Sequence, residues 1–409
     1  LIGLLTVTVP RNGRLSGKYR SILGETIPLL ATEWDSCTTT GDFTATMTDV
    51  DGDGYSAVVT AKADGTIDVA FTDPATEFEH DKLACLAKSS LWSDGYSAVA
   101  CKGYYTVSLP FKKQAESSTA FANGDGYVTL KMTDDAAVKS GRMLYAGVLA
   151  NGKAFSGTAT LEQDTDSAAL LPVFAEMETD TFTGVFSIDQ TKKYREVEAY
   201  ENGCPYWQNR ESFEPYDGKL AAYGCLYDSN SVLQCCVNTF ATQYLTFFAL
   251  PEKLVDNEKF GTRASHYADF KPKWSTNNVY AVAVKVTNEG GSDSISLYSP
   301  DVARQSNGLT LNFNPATGLV SGQLWLDFFE TATTGKRVVA TYRGIVKPGW
   351  GKIPDFCNTC IDEPTPQEAP FISGTCFFPD TYEFEYKMQR RWLQIKRGCP
   401  FSIGIEPGQ

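Results

Sequence analysis

The chain of 409 residues carries a net charge of −13, with 42% hydrophobic and 21% charged residues. This length suffices for two or three domains, each with its own core. The acidic balance disfavours a nucleic-acid partner, because binding to phosphates requires a basic face. No uninterrupted apolar run approaches the length of a membrane-spanning helix, so we expect no membrane span.

A hairpin pattern recurs along the chain. Each copy has a strand of alternating apolar and polar residues, a turn, and a second strand, over residues 3–17, 126–161 and 308–322. Repetition of one hairpin is typical of a modular β architecture. In all three copies the second strand carries a Ser-Gly pair: Ser16-Gly17, Ser156-Gly157 and Ser321-Gly322.

The remaining elements follow in chain order. In the first hundred residues, alternation predicts strands over 4–9, 15–20, 43–47, 55–62 and 66–71. In the second hairpin copy, Asp134-Asp135 interrupts the alternation, which resumes over 138–145. Residues 200–240 lose the pattern and predict a loop-rich insertion. Strands resume over 279–287, 324–328 and 338–346, and a final hairpin is predicted over 382–388 and 391–396.

These elements predict an all-β fold of consecutive antiparallel sandwich or barrel-like domains, with a disulfide-rich insertion and a C-terminal tail. We expect an N-terminal β domain over 1–102 and the main repeat modules over 103–350. A cysteine-containing hairpin segment then occupies 351–409.

Eleven cysteines are typical of an oxidising compartment, so we expect disulfides and an extracellular or cell-surface location. A zinc site at Cys357 and Cys360 is the weaker alternative, because the other two nearby cysteines are far apart in sequence. Because the count is odd, at least one cysteine is free or pairs with another chain. The predicted disulfide cysteines are Cys37, Cys85, Cys101, Cys204, Cys225, Cys235, Cys236, Cys357, Cys360, Cys376 and Cys399.

Asp49, Asp51 and Asp53, followed by Gly54, resemble the first half of a calcium-binding loop, in which alternate carboxylates converge on one cation. Thr60 stands where such a loop has its bidentate glutamate. A polar hairpin turn is the competing interpretation, and calcium is the only cofactor that the sequence suggests.

The apolar strand at the start of the chain has two interpretations. It lies at the edge of its own sheet, or it inserts into a neighbouring subunit as an added strand. Leu4, Leu5, Val7 and Val9 are the candidate assembly residues.

Aromatic residues are frequent in the predicted insertion. Tyr206 and Trp207 are candidates for stacking on sugar rings, and the competing interpretation places them in the core beneath a long loop. The two histidines, His80 and His266, do not adjoin a nucleophile motif, so we do not predict an enzyme.

The strings GYYTVSLP, GYVTLKMTDDAAVKSGRMLYAGVLANGKAFSGTATL and LTLNFNPATGLVSGQLWLD, followed by YRGIVKPGW, resemble repeat modules of large secreted bacterial cell-surface proteins. The resemblance covers residues 103–350 and implies architecture and location, but no site residue. It favours a secreted structural subunit of a filament, surface layer or adhesive matrix that assembles through copies of itself. The alternatives are a glycan-binding module or glycoside-active enzyme, and a calcium-dependent adhesin.

Overall fold

The computed structural model describes three antiparallel sheets. The described residues are 3–8, 14–21, 24–31, 33–39, 41–62, 67–72, 74, 98–111, 124–163, 168–191, 195–210, 216–227, 242–247, 279–289, 292–298, 309–329, 335–346, 372–386 and 389–404. Val9, the last candidate assembly residue, lies outside them.

The first sheet is a meander in the order β1-β2-β3-β5-β6-β7, with the short β4 paired to β5. Its inward positions hold a core that includes Tyr19 of β2 and Phe71 of β7. The centroids of these two rings lie 4.3 Å apart, although three strands separate β2 from β7 in the sheet. The sheet is therefore strongly curled. The strands are β1 (Gly3–Thr8), β2 (Leu15–Ser21), β3 (Thr26–Ala31), β4 (Ser36–Cys37), β5 (Phe43–Asp49), β6 (Ser56–Ala61) and β7 (Ile67–Thr72).

The second sheet runs β11-β10-β9-β8-β18-β15-β14-β13-β12, with β16 and β17 attached at β14. It holds the largest described core, which includes Tyr105, Phe182 and Trp207. Its strands are β8 (Gly103–Phe111), β9 (Gly124–Met132), β10 (Arg142–Val148), β11 (Ala154–Thr160), β12 (Glu162–Gln163), β13 (Ala168–Glu176), β14 (Asp180–Asp189), β15 (Val197–Ala199), β16 (Tyr206–Asn209), β17 (Tyr216–Lys219) and β18 (Tyr223–Leu226).

The third sheet runs β21-β20-β19-β26-β25-β24-β23-β22. The strand that comes last in the sequence, β26, pairs with the strand that comes first, β19. In the second sheet, β18 pairs with β8 in the same way. Because β24 pairs with β25, the predicted segments 103–350 and 351–409 contribute to one sheet. The strands are β19 (Thr242–Phe247), β20 (Val279–Glu289), β21 (Ser292–Tyr298), β22 (Thr310–Asn314), β23 (Leu319–Phe329), β24 (Gly335–Val346), β25 (Ile372–Tyr386) and β26 (Gln389–Gly404).

In two of the three Ser-Gly pairs, the glycine makes room for a tyrosine ring on the neighbouring strand. Gly157 lies opposite Tyr145, and Gly322 lies opposite Tyr342. A Cβ at either glycine would overlap the phenol of its partner. The Tyr145 hydroxyl crosses β11 and donates to the Phe174 carbonyl on β13 at 2.6 Å, which joins two strands that do not pair directly. An aromatic ring over a strand glycine restores the packing that glycine lacks.

Two sequence interpretations are corrected by the structure. The predicted strand over 138–145 is a short helix, α1 (Asp135–Ser140), followed by β10. Asp134 caps the helix by accepting from the Ala137 N–H, and Gly141 ends it with φ 63°. The predicted loop-rich insertion contains β16, β17 and β18, which pair with the second sheet.

Polar contacts join the sheets. Thr106 is buried on the outer face of β8 and donates to the Val346 carbonyl of β24 at 2.9 Å. Thr375 of β25 donates to the Asp125 carbonyl of β9 at 3.1 Å. The Arg20 guanidinium of the first sheet lies 4.8 Å from the centre of the Phe174 ring in the second.

Candidate functional site

The predicted calcium residues form a hairpin turn around one carboxylate. Asp49 accepts from the backbone N–H groups of Gly52, Asp53, Gly54 and Tyr55, at 2.9 Å for Asp53 and 2.7 Å for Gly54. Burial raises the pKa of Asp49, and these four donors lower it by more, so the net pKa lies below its ordinary value.

Both oxygens of Asp49 thus serve the turn between β5 and β6. Within the described part of the chain, no three acidic, histidine or cysteine side chains are grouped to hold a metal ion. Residues 49–55 therefore form a polar hairpin turn around Asp49, and a calcium ion at Asp49, Asp51 and Asp53 stays a prediction.

Cysteine placement corrects part of the disulfide prediction. Cys37, Cys101, Cys225 and Cys376 are thiols, and Cys204 is disulfide-bonded. The strand partners of Cys37 and Cys225 are Phe43 and Thr106, so these positions face no cysteine across the strand pair. The disulfide prediction is wrong in this structure for Cys37, Cys101 and Cys225.

Cys376 is also a thiol in this structure, although its strand partner is Cys399, so the disulfide prediction is wrong for Cys376 as well. The remaining predicted positions, Cys85, Cys235, Cys236, Cys357 and Cys360, lie outside the described residues. Burial raises the pKa of Cys101 and of Cys225 to about 12, so these thiols stay protonated near neutral pH and are poor nucleophiles.

Trp207, a predicted sugar-stacking residue, has no exposed surface. Its indole N–H donates to Asp180 at 2.8 Å inside the core of the second sheet. Neither face of the ring is available to a ligand, so the stacking prediction is wrong for Trp207, and the competing core interpretation holds. Tyr206, its neighbour on β16, is half-buried.

Asp180 is itself fully buried and organises a polar network that the sequence did not reveal. One carboxylate oxygen accepts from Asn151, Trp207 and Asn209 at 2.9, 2.8 and 3.1 Å. The other lies 2.6 Å from the Lys153 ammonium, which balances its charge. A buried carboxylate with this many donors holds neighbouring segments together and is not a reactive group.

Strand β1 contains three of the predicted assembly residues. It pairs with β2 over six residues and ends the strand order of the first sheet, which matches the edge interpretation. Leu4, Leu5 and Val7 are half-buried, whereas Thr6 and Thr8 are exposed. The strand contains no charged residue and no proline.

A groove of about 540 Å³ crosses the outer face of β9, β10 and β11. Small side chains from adjacent strands form its floor, where Ala146 lies between Thr129 and Ser156 in register. Tyr127, Met177 and Leu319 also line the groove, and Leu319 belongs to the third sheet. Glu176, which is exposed, also lines it, so the groove joins the second and third sheets beside a carboxylate.

A row of polar residues continues from Glu176 across the second sheet. Glu176 lies opposite Thr181, and Thr181 lies opposite Gln208. Thr181 has no exposed surface, and its hydroxyl and the Gln208 side-chain oxygen are buried without a hydrogen-bond partner. Each such atom costs about 1–3 kcal/mol of folding free energy if nothing satisfies it.

The first sheet borders this row. Gly24, in the turn after β2, packs against Glu176 and the Arg210 guanidinium, where an added Cβ would lie 3.1 Å from the carboxylate. Nearby, the Arg20 Nε is buried and has no hydrogen-bond partner. Sequence analysis missed Glu176, Thr181 and Gln208, because an unsatisfied polar row arises only when three strands come into register.

No described helix has both the length and the apolar character that crossing a membrane requires. Comparison of the chain with protein-family models, curated proteins and solved structures gives no match.

Proposed function

We propose that the chain is a structural subunit of an extracellular assembly and that strand addition at β1 joins it to neighbouring copies. The carrying observation is that, among the described strands, β1 ends the order of the first sheet and contains no charge and no proline. Natural sheets usually protect such edges with charges, prolines or bulges, because an open edge templates pairing with another chain. An unprotected edge that serves assembly is the simplest physical account of β1.

The other end strand of the first sheet differs from β1. Strand β7 carries Asp68, which forms an exposed ion pair with Lys62 at 2.6 Å. A charge at an edge disfavours uncontrolled pairing. In the second sheet, the end strand β11 lies against β13, and the Tyr145 hydroxyl of the neighbouring β10 donates to the Phe174 carbonyl of β13. Among these edges, β1 is the one best suited to accept a strand.

The extracellular part of the proposal rests on cysteine content and on the repeated hairpin. Eleven cysteines are unusual for a chain in a reducing compartment. The Ser-Gly hairpin occurs in all three sheets, as β1-β2, β10-β11 and β22-β23. Repetition of one unit is common in chains that build large surfaces.

Thr6→Lys tests the proposal because Thr6 is exposed on the outer face of β1 and takes no part in the core. We expect the unmodified protein to associate as its concentration rises and the variant to stay monomeric by light scattering. Val58→Lys is the matched control, since Val58 is exposed on the interior strand β6. Association of Thr6→Lys equal to that of the unmodified protein would refute the proposal.

A further inference from the structure

The three sheets differ in how their end strands meet. In the second sheet β11 lies against β13, and in the third sheet β21 lies against β22, so each of these sheets curls back on itself. Strands β1 and β7, which end the order of the first sheet, do not lie against each other. Among the described strands, the first sheet therefore has a gap between β1 and β7.

The curvature of the first sheet leaves room for two more strands. The third sheet contains eight strands, whereas the path of the first sheet from β1 to β7 contains six. Tyr19 of β2 and Phe71 of β7, which are four steps apart on that path, meet across the interior. Strands four steps apart lie on opposite walls of an eight-stranded barrel, whose interior is just wide enough for side chains to fill. The first sheet is thus curved like a barrel of eight strands, of which it supplies six.

The rim of the gap determines what can fill it. Leu5 and Val7 of β1 pack against the core of the first sheet but remain half-buried. A strand beside β1 covers them if its inward residues are apolar. Because β1 and β7 run in opposite directions, two added strands pair with both edges only if they are antiparallel to each other. An amphipathic β-hairpin meets these conditions.

The chain itself contains such a hairpin. Strand β25 pairs with β24 over 372–377, and β26 pairs with β19 over 401–404. Beyond these positions, residues 378–386 and 389–397, here called the arm, pair with each other and with no other described strand. The nine residue pairs of the arm span about 30 Å, more than the six residues of β1. A two-stranded ribbon alone is at best marginally stable in water, so the arm is suited to join another sheet.

The arm matches the gap in polarity and in charge. Residues at alternate positions of a strand, and residues directly opposite in an antiparallel pair, share a face of the ribbon. By register, the more apolar face of the arm contains Phe378, Tyr382, Phe384, Tyr386, Leu393 and Ile395. Residues 378–397 include five basic and three acidic residues, whereas residues 3–72 include nine acidic and five basic ones. Opposite net charges favour the encounter of the two segments, and Asp68 provides an acidic residue on β7 itself.

We propose that the arm of one copy fills the gap between β1 and β7 of the next copy. This inference rests on the proposed assembly function and names the segment that β1 receives. The arm belongs to the third sheet and the gap to the first, so one copy donates to one neighbour and accepts from another. Such a head-to-tail contact builds a ring or a filament.

Two variants that each block one side of this contact test the proposal. Thr6→Lys blocks the edge at β1, and Tyr382→Lys places a charge on the apolar face of the arm. We expect each variant alone to associate about a hundredfold more weakly than the unmodified protein, because a lysine without a partner charge is buried in the contact. Mixed one to one, they should form a pair that does not grow, since the intact arm of Thr6→Lys enters the intact gap of Tyr382→Lys. Sedimentation velocity distinguishes this pair from single chains and from larger species.

Thr381→Lys is the matched control, because Thr381 adjoins Tyr382 on the opposite face of the arm. We expect it to associate like the unmodified protein. Equal association by Tyr382→Lys and the control, or a mixture without pairs, overturns the arm as donor, and the assembly function still stands if Thr6→Lys alone loses association. An unmodified protein that stays monomeric overturns both proposals. If Tyr382→Lys unfolds, Leu393→Lys at its register partner repeats the test.

Discussion

Replacing Asp180 with alanine removes the acceptor on which three parts of the second sheet converge. The network joins the β10-β11 turn through Asn151 and Lys153, and β16 through Trp207 and Asn209. Asp180 itself begins β14. The variant keeps every strand sequence but disconnects these parts from each other.

The expected loss follows from which donors remain buried. Trp207 is 0% exposed and Asn209 is 6% exposed, so their N–H groups lose a partner that water cannot replace. Each buried donor without a partner costs about 1–3 kcal/mol, which predicts a loss of roughly 2–6 kcal/mol. Asn151 and Lys153 are part-exposed and regain water, so they add little. Lys153→Met should also destabilise the sheet, by about 3–5 kcal/mol, because it leaves the buried Asp180 carboxylate without its balancing charge.

Hydrogen exchange followed by mass spectrometry suits this prediction, because three sheets need not unfold together. We expect peptides from β10, β11, β14 and β16 to exchange faster in Asp180→Ala, while peptides of the first sheet keep their protection. Asp189→Ala is the control, since Asp189 caps a surface turn at the Thr191 N–H. If the peptides of both variants exchange at the same rates, Asp180 does not hold these strands together.

Two further predictions concern buried groups. Burial raises the pKa of Glu162 to about 8, so between pH 4.5 and 8 the folded chain holds a proton that the unfolded chain has lost. The contribution of Glu162 to stability should therefore be fully present below pH 4.5 and be lost at up to about 1.4 kcal/mol per pH unit as the pH rises to 8. Glu162→Gln should flatten this fall in urea titrations, and an unchanged slope would contradict the assignment. Gly157→Ala should cost about 1–3 kcal/mol by overpacking against Tyr145. In thermal unfolding, a Tyr145→Ala background should reduce that cost, and an undiminished cost would exclude the ring contact.

The strands were predictable from the sequence wherever one face of the strand is buried and the other is exposed to solvent. Strands β5 and β6 alternate in burial as their sequences alternate in polarity, and the predicted final hairpin is β25 paired with β26. Strand β3 was missed, because Pro28 and consecutive leucines obscure the alternation. Helix α1 was missed because its six residues are too short to show a helical period.

The candidate sites were less predictable, because they depend on contacts between distant strands. Acidic spacing suggested a cation at Asp49, whereas the backbone folds around that carboxylate. Trp207 was a candidate for ligand stacking, but its indole N–H donates to Asp180, which lies 27 residues earlier in the sequence. The orphan oxygens of Thr181 and Gln208 follow from register, which alternation within one strand cannot specify.

Sedimentation velocity of the unmodified protein over a wide concentration range tests the assembly proposal most directly, with electron microscopy of the same samples. We expect species heavier than the 44.8 kDa chain to grow with concentration and to form ordered particles. A single 44.8 kDa species at every concentration, in oxidising as well as reducing buffer, would contradict assembly through β1.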